Sequence, residues 1–394
     1  MKVSVVIVSY NVSHYLLQCL DSIKSALRGI EGEIIVIDNH SRDDSVSLVR
    51  RCHPEATVIE SLHNLGFAKA NNIAIRQTKG DYVLLVNPDT LIEENTIKDV
   101  VNFLDDNQHA GAAGLMMVNA DGTPAPESRR AVPTPMTAFY KFSGLCSMFP
   151  KSRRFGKYYL GFLPWDSPQR IEVVSGAFCM VRRTTLDAIG LLDEDYFMYG
   201  EDIDLSCRIL KAGYENWYLP SRIVHYKGES TQKSSFAHVH VFYRAMLIFI
   251  RKHYSHLAAI LSVPIQAAIF VKALAAAVVT TYHKMMKSLG FPYPSRATSS
   301  MEFHCFGPEA TIEACRQICS THAVTAHYHV TTDASYINKV VSCIKRQSVI
   351  VLDPSSLGFS AVIDILITHS HAPVTLGTYH PTTNSIITIN DIIR

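Results

Sequence analysis

Strand-like and helix-like stretches alternate from the first residues of this chain. VSVVIVSY (3–10), EIIVIDN (33–39), ATVIES (56–61) and DYVLLVN (81–87) are rich in β-branched residues. Between them YLLQCLDSIKSAL (15–27), RDDSVSLVRRC (42–52) and GFAKANNIAIRQ (66–77) carry apolar residues at helical spacing. The alternation predicts βαβ units on a parallel sheet, because parallel neighbours need a long crossover between them. The runs VVIV and EIIVID are nearly continuous, as strands covered on both faces require. Sheets of this kind bind ligands beyond the carboxyl ends of their strands. Asp38 and Asp89 both stand at such ends, so the pattern alone turns two acids toward one crevice.

At 394 residues the chain is long enough for two or three domains. Residues 119–170 are rich in Pro, Gly and Arg and read as long loops near the site. Order returns with the strand VVSGAFCMVRR, then a helix starting at Glu201, whose first turn holds Glu201, Asp202 and Asp204. ENWYLP and SRIVHY read as a pair of strands. An amphipathic helix follows at 236–254, and 257–282 is apolar apart from Gln266 and Lys272, with Pro264 early in the run. That run stops short of the roughly 20 apolar residues of a membrane span; basic flanks at Arg251, Lys252, Lys284 and Lys287 suit a helix lying in an interface, or one packed between domains. After a linker at 288–300 the βαβ rhythm resumes. The expected division is therefore 1–235, 236–290 as a helical segment, and 301–394 as a small α/β domain.

Net charge is only +2, which does not favour nucleic acid as a partner. Nine cysteines without a CxxC pair point to reduced thiols in the cytosol, and MKVSVVIVSYN lacks the small-residue cleavage site of a signal peptide. Cys315, Cys319, His322, His327 and His329 fit no standard zinc spacing, and alternating histidines in AHYHV suit an ordinary strand.

Six motifs follow one another in order: SVVIVSYN, IIVIDNHSRDDS, NLGFAKANN, LLVNPDT, SGAFCMVRR and DEDYFMYGEDIDLSCR. Together, over about residues 1–255, they resemble the family 2 glycosyltransferases of the GT-A fold, most closely the bacterial rhamnosyltransferase-like branch. The resemblance implies a Rossmann-like, mostly parallel catalytic sheet and an inverting transfer from a nucleotide-diphosphate sugar, with Mg²⁺ or Mn²⁺ as cofactor. It implies a polyprenyl-linked saccharide as acceptor, at the cytoplasmic face of a membrane. Rhamnose from a dTDP donor suits the branch, although hexose and galactofuranose donors use similar scaffolds. A silent sugar-nucleotide-binding or scaffold subunit is the rival reading; it need not keep Asp89, Asp202 and His225 together.

Residue by residue, Ser9, Tyr10, Asn11 and Asp38 match the nucleotide-binding positions. A strand-end carboxylate can accept from a base N–H or a ribose hydroxyl; the lesser alternative is that Asp38 caps the next helix with Asn39 and Ser41. Gly66 lets backbone approach a ligand closely. Lys69 and Asn71 stand in the neighbourhood where the family often has an arginine. Asn87 and Asp89 match the metal motif with one acid instead of two. One carboxylate suffices for Mg²⁺ or Mn²⁺ if donor phosphates supply oxygens. His225, 23 residues after Asp202, completes the implied metal pair. Ser175, Gly176 and Ala177 match the strand that shapes the sugar pocket. Of Glu201 and Asp202, the latter matches the base that takes the acceptor proton. By loop position Arg129 and Arg130 could reach a diphosphate, and Trp165 could stack on a sugar.

Overall fold

A computed structural model describes residues 1–226, 236–255, 281, 282, 285, 301–389 and 391–394. The apolar stretch at 257–280 and the linker at 288–300 lie outside the described residues, and with them most of the expected helical segment. Among the described residues no helix is long and apolar enough to cross a membrane.

The first part runs β1 (Val3–Ser9), α1 (Ser13–Ala26), β2 (Gly32–Asp38), α2 (Ser45–Cys52), β3 (Thr57–Glu60), α3 (Phe67–Ile75), β4 (Tyr82–Val86), β5 (Thr90–Ile92), α4 (Thr96–Asp106) and β6 (Ala110–Val118). It continues with α5 (Pro135–Phe142), α6 (Leu145–Met148), β7 (Gln169–Ile171), β8 (Phe178–Arg182), α7 (Arg183–Ile189), α8 (Glu201–Lys211), β9 (Glu215–His225) and α9 (Phe236–His253). The second part has β10 (Glu302–Gly307), α10 (Glu309–Thr321), β11 (Ala326–Val330), α11 (Ala334–Ser342), β12 (Ser348–Leu352), α12 (Pro354–Leu357), α13 (Phe359–Thr368), β13 (Val374–His380), β14 (Ser385–Thr388) and β15 (Ile392–Ile393).

The first sheet has the order β3-β2-β1-β4-β8-β6-β9-β5, with β7 paired to β9. Its half from β3 to β4 is parallel, as the continuous apolar runs require; all of β1 is buried. β8 then runs antiparallel to both β4 and β6. One expectation is corrected here. ENWYLP and SRIVHY are not two strands but the single strand β9, which pairs in parallel with β6 through a register shift between Leu115 and Met116. Leu115 opposes Leu219 while Met116 opposes Arg222, so Pro220 and Ser221 are absorbed in a bulge. Pro220 has no N–H to give a ladder, which makes the local sequence look like a strand end.

The second sheet has the order β11-β10-β12-β13-β14-β15, parallel as far as β13. α1 is buried nearly all round because it lies between the two sheets. Leu16, Leu17, Leu20 and Ile23 pack into the first core, while Val12 and Tyr15 join a core shared with Phe306, Leu352, Leu366 and Leu376. Each such fully buried aliphatic side chain contributes about 1.5–3 kcal/mol. The polar groups of α1 on that side are paired: the Tyr15 hydroxyl donates to Thr388 O at 2.6 Å, and Gln18 donates to Thr378 Oγ1. Glu94 accepts from the Phe359 and Ser360 N–H groups at 2.6 and 2.9 Å, occupying orphan donors at the start of α13. Arg222 bridges Glu93 at 2.6 Å and Asp364 at 2.7 Å.

Candidate active site

Three loops meet beyond the carboxyl ends of β1, β2 and β4. The register sets Ser9 beside Asp38 across β1 and β2. Asp38 is buried; its Oδ2 accepts from the Ser41 N–H at 2.9 Å, and its Oδ1 is buried without a partner. The capping alternative therefore uses one oxygen and leaves the other. Asn11 adopts φ +54°, a conformation its side chain helps to hold by accepting from the Arg42 N–H at 2.7 Å. Asn39 ties this node to the next loop, its amide donating to Asn64 Oδ1 at 3.0 Å and its carbonyl accepting from the Leu65 N–H at 2.8 Å.

Gly66 stands immediately before α3 with φ +81°, and a Cβ there would lie 2.4 Å from Phe197 O. Only glycine fits, so the loop before α3 closes against the segment that leads to α8. That segment turns through two positive-φ residues, Tyr199 at +67° and Gly200 at +89°, delivering Glu201 and Asp202 to the first turn of α8. Asp202 Oδ2 is ion-paired with Arg130, both side chains mostly buried, and also accepts from the Gly176 N–H at 3.4 Å. Glu201 is buried with Oε2 unpartnered. Burial, with the Asp202 charge beside it, pushes the Glu201 carboxyl up to about 8. The two neighbouring acids thus sit in different surroundings: Glu201 is buried with its carboxyl raised, and Asp202 faces a guanidinium.

The third group comes from the hairpin-like pairing of β5 with β9, which sets Thr90 opposite His225. His225 Nε2 lies 3.2 Å from Asp89 Oδ1 and 3.3 Å from Asn87 Nδ2. His225 Nδ1 is buried without a partner, so the ring is oriented by its place on the strand. Two ligand atoms on adjacent corners of an octahedral ion with bonds of about 2.1 Å stand about 3 Å apart. The Asp89–His225 spacing fits that edge, and the oxygen-plus-imidazole donor set suits Mg²⁺ or Mn²⁺ completed by phosphate oxygens.

These groups line one cleft of about 420 Å³. It gathers Tyr10, Gly66, Asn87, Ser175, Gly176, Ala177, Glu201, Asp202 and His225. Ser9, Asp38 and Asp89 are buried behind this wall, and Asn11 is exposed outside it. The loops at 119–170 contribute Glu127, Arg130, Lys141, Tyr158 and Tyr159, of which sequence reasoning singled out only Arg130. Arg129 and Trp165 turn out to serve each other. The Arg129 guanidinium lies 3.5 Å from the centroid of the Trp165 ring and donates to Leu163 O and Pro164 O, so neither side chain reaches into the cleft. Asn71 likewise turns inward, donating to Phe67 O at 2.9 Å. Asp204 points away from Asp202. Although burial opposes it, His253, Lys252 and Arg208 at 2.8–2.9 Å hold its carboxyl well below the usual range, tying α8 to α9. On the second sheet Glu302, His304 and His327 have ligand atoms within 4.8 Å of one another; Glu302 is paired there with Arg346 at 3.1 Å.

A model of the family described as "Glycosyl transferase family 2" matches residues 4–190, which contain every strand-end residue of this cleft up to Ala177. The chain carries a family 2 glycosyltransferase domain. Its mixed, mostly parallel first sheet is the GT-A arrangement, and the chain is a glycosyltransferase. It is 27% identical over 263 residues to an N-acetylglucosaminyl-diphospho-decaprenol L-rhamnosyltransferase of Mycobacterium tuberculosis, covering 64% of this chain and 84% of that one. Over 235 residues it is 26% identical to the rhamnosyltransferase WbbL of Escherichia coli, covering 57% and 83%. Among solved structures it is similar to a mannosyltransferase from Pyrobaculum calidifontis in complex with GDP-Man and Mn²⁺, with TM-score 0.45 and 21% identity over 75% of this chain and 82% of that one.

Proposed function

We propose that this glycosyltransferase moves a sugar, with inversion, from a nucleotide-diphosphate donor to a saccharide carried on a polyprenyl diphosphate. The observation that carries the reading is a single cleft lined by the ion-paired Asp202 and Arg130 and by His225, whose neighbour Asp89 is buried just behind the wall. Tyr10 and the Gly66 loop line the end that suits the nucleotide; Asp38 is buried behind them with Oδ1 unpartnered, an acceptor for a ribose hydroxyl or base N–H that reaches it. Asp89 and His225 would hold Mg²⁺ or Mn²⁺ beside the diphosphate. Once bound, the metal would offset the charge that builds on the leaving group.

Asp202 is the general base. The acceptor oxygen attacks the anomeric carbon, the bond from that carbon to the diphosphate oxygen breaks, and the hydroxyl proton passes to an Asp202 oxygen. Arg130 first holds that carboxylate in place. It is also the cation best set to move onto an incoming phosphate, which frees Asp202 as substrate arrives. Glu201, its carboxyl raised by burial, tends to leave Asp202 as the charged acid of the pair, without a second full charge beside it. The M. tuberculosis relative, named for rhamnosyl transfer to a decaprenyl-diphosphate acceptor, supports rhamnose and a lipid-linked acceptor. Such an acceptor sets the work at a membrane surface, on the cytoplasmic side where nucleotide sugars are made.

The test is a panel of nucleotide sugars incubated with the protein and Mn²⁺ or Mg²⁺, with and without a chelator. At least one donor is expected to bind, and to turn over when a prenyl-diphosphate saccharide is added, with turnover lost on chelation. A protein that binds no donor under any of these conditions would end the proposal.

A further inference from the structure

Against the reaction cleft lies a second cavity, a groove of about 390 Å³, within the ~300–1,000 Å³ of ordinary small-molecule clefts. Its walls come from α5 and the residues before it (Pro133, Ala138, Phe142) and from α9 (Ala245, Met246, Phe249). The groove is continuous with the cleft: Lys141, Tyr158, Tyr199, Gly200, Ile203 and Phe242 line both. Ile203 directly follows Asp202, so the apolar channel begins one residue from the reacting carboxylate.

Among the described residues lining the groove, Lys141 alone carries a charge, and it stands at the junction. Its ammonium rests 4.0 Å from the centroid of the Tyr158 ring and 5.1 Å from that of Tyr159. Along this path the chemistry runs in one order: apolar channel, cation, carboxylate base. At the rim of the groove Phe139 and Phe142, and beyond it Met136, Met148 and Phe149 on and just after α5 and α6, are each about half exposed or more. A run of exposed apolar side chains like this marks a surface that meets another apolar phase.

We propose that the groove takes the proximal isoprene units of a polyprenyl-diphosphate-linked acceptor, with Lys141 meeting the diphosphate and the sugar reaching Asp202. The inference rests on the acceptor class proposed above and adds where its lipid lies. Tail, diphosphate and sugar match the order of channel, cation and base. A second protein would not need that charge order or a channel ending at the base, and a bare membrane surface would need no channel at all. The exposed face of α5 and α6 is where the chain leaves for the bilayer.

The experiment measures binding of geranylgeranyl diphosphate, geranyl diphosphate and inorganic diphosphate to the full chain by calorimetry, below the critical micelle concentration of each lipid. Donor-nucleotide binding is measured in parallel. The longer prenyl chain is expected to bind at least about tenfold more tightly than the shorter one, since added methylenes are removed from water. Ala138→Trp, at a half-buried position on the groove wall, is expected to abolish that difference while inorganic diphosphate binds as before. Lys141→Gln is expected to weaken all three ligands several-fold and keep the chain-length difference. Circular dichroism confirms that each variant folds. Equal affinity for the two prenyl chains overturns the proposal, as does a difference that survives Ala138→Trp. So does binding of phosphatidylcholine vesicles, without prenyl diphosphate, that responds to Ala138→Trp in the same way. If the chain-length difference holds but no donor nucleotide binds, the groove stands and the transferase reading fails.

Discussion

Both sheets of this protein end a parallel strand in an aspartate, yet the two acids do opposite things. Asp38 closes β2 and Asp353 directly follows β12. Asp353 is saturated: it accepts from Thr311 Oγ1 at 2.6 Å, from the Ser355 N–H at 2.9 Å and from Ser355 Oγ at 2.5 Å. Asp38 accepts one N–H and leaves Oδ1 without a partner. Each sheet has a point where the strand order reverses, and each therefore offers a crevice. In the second sheet it is filled, since a Cβ on Gly307 would lie 2.9 Å from Thr311 Cγ2. In the first, Gly66 packs just as tightly against Phe197 O, yet the loops beyond the strand ends still leave a cleft of about 420 Å³. Topology offers a binding place; whether the side chains at its mouth satisfy one another decides whether it is used.

If that contrast is right, acids at the open crevice govern activity while the closed one governs folding. The largest effect is expected from Asp202→Asn, which should slow transfer about 10²–10⁴-fold with donor affinity unchanged. Loss of donor binding instead would remove Asp202 from the role of base. Next is Glu201, the open site's buried acid. Its folded value, about 8, exceeds the ordinary glutamate value of 4.5, so between those two the folded state binds the extra proton. Stability is then fully present below about 4.5 and falls as pH rises toward 8, by a few kcal/mol in all and at most about 1.4 kcal/mol per pH unit. Denaturant titrations across that range should show the slope, and Glu201→Gln should flatten it; an unchanged slope would mean another group carries it.

Asp89→Ala and His225→Ala should each weaken Mn²⁺ binding, measured by electron paramagnetic resonance with a nucleoside diphosphate present, by at least about tenfold. Undiminished Mn²⁺ affinity in His225→Ala would leave Asp89 as the sole protein ligand. The smallest effects set the two strand-end acids directly against each other. Asp38→Asn should weaken nucleotide binding about tenfold and leave the melting temperature almost unmoved. Asp353→Asn should lose about 0.5–2 kcal/mol of stability with donor affinity intact. The reverse pattern would break the comparison.

The second sheet also reaches the cleft indirectly. Asp89 and Thr90 lead into β5, and β5 is followed by Glu93 and Glu94, which bond Arg222 and the start of α13. Tyr226, next to His225, is buried against Tyr15 in the core shared by the two sheets. The strands that bring Asp89 to His225 are thus braced from behind by the second part of the chain.

Most of the first sheet was legible because its signals are local. A βαβ repeat is written in windows of ten residues, and Asp38, Asp89 and Asp202 are each placed by their own strand end or helix start. What was misread had a non-local cause. Pro220 looks like a break until β6 supplies a bulge to absorb it. Arg129 looks like a phosphate ligand until Trp165 arrives to cover it.

The sequence alone determined the periodicity, the parallel half of the first sheet and the positions of the acids, since backbone geometry and burial act over a few residues. Only the tertiary structure decided which acids stay open. Asp202 meets Arg130 across 72 residues, Asp89 meets His225 across 136, and Asp353 is satisfied by Thr311 across 42. A carboxylate's role depends on the donors that packing brings within 3 Å or so of its oxygens, and those donors come from parts of the chain that no local window contains.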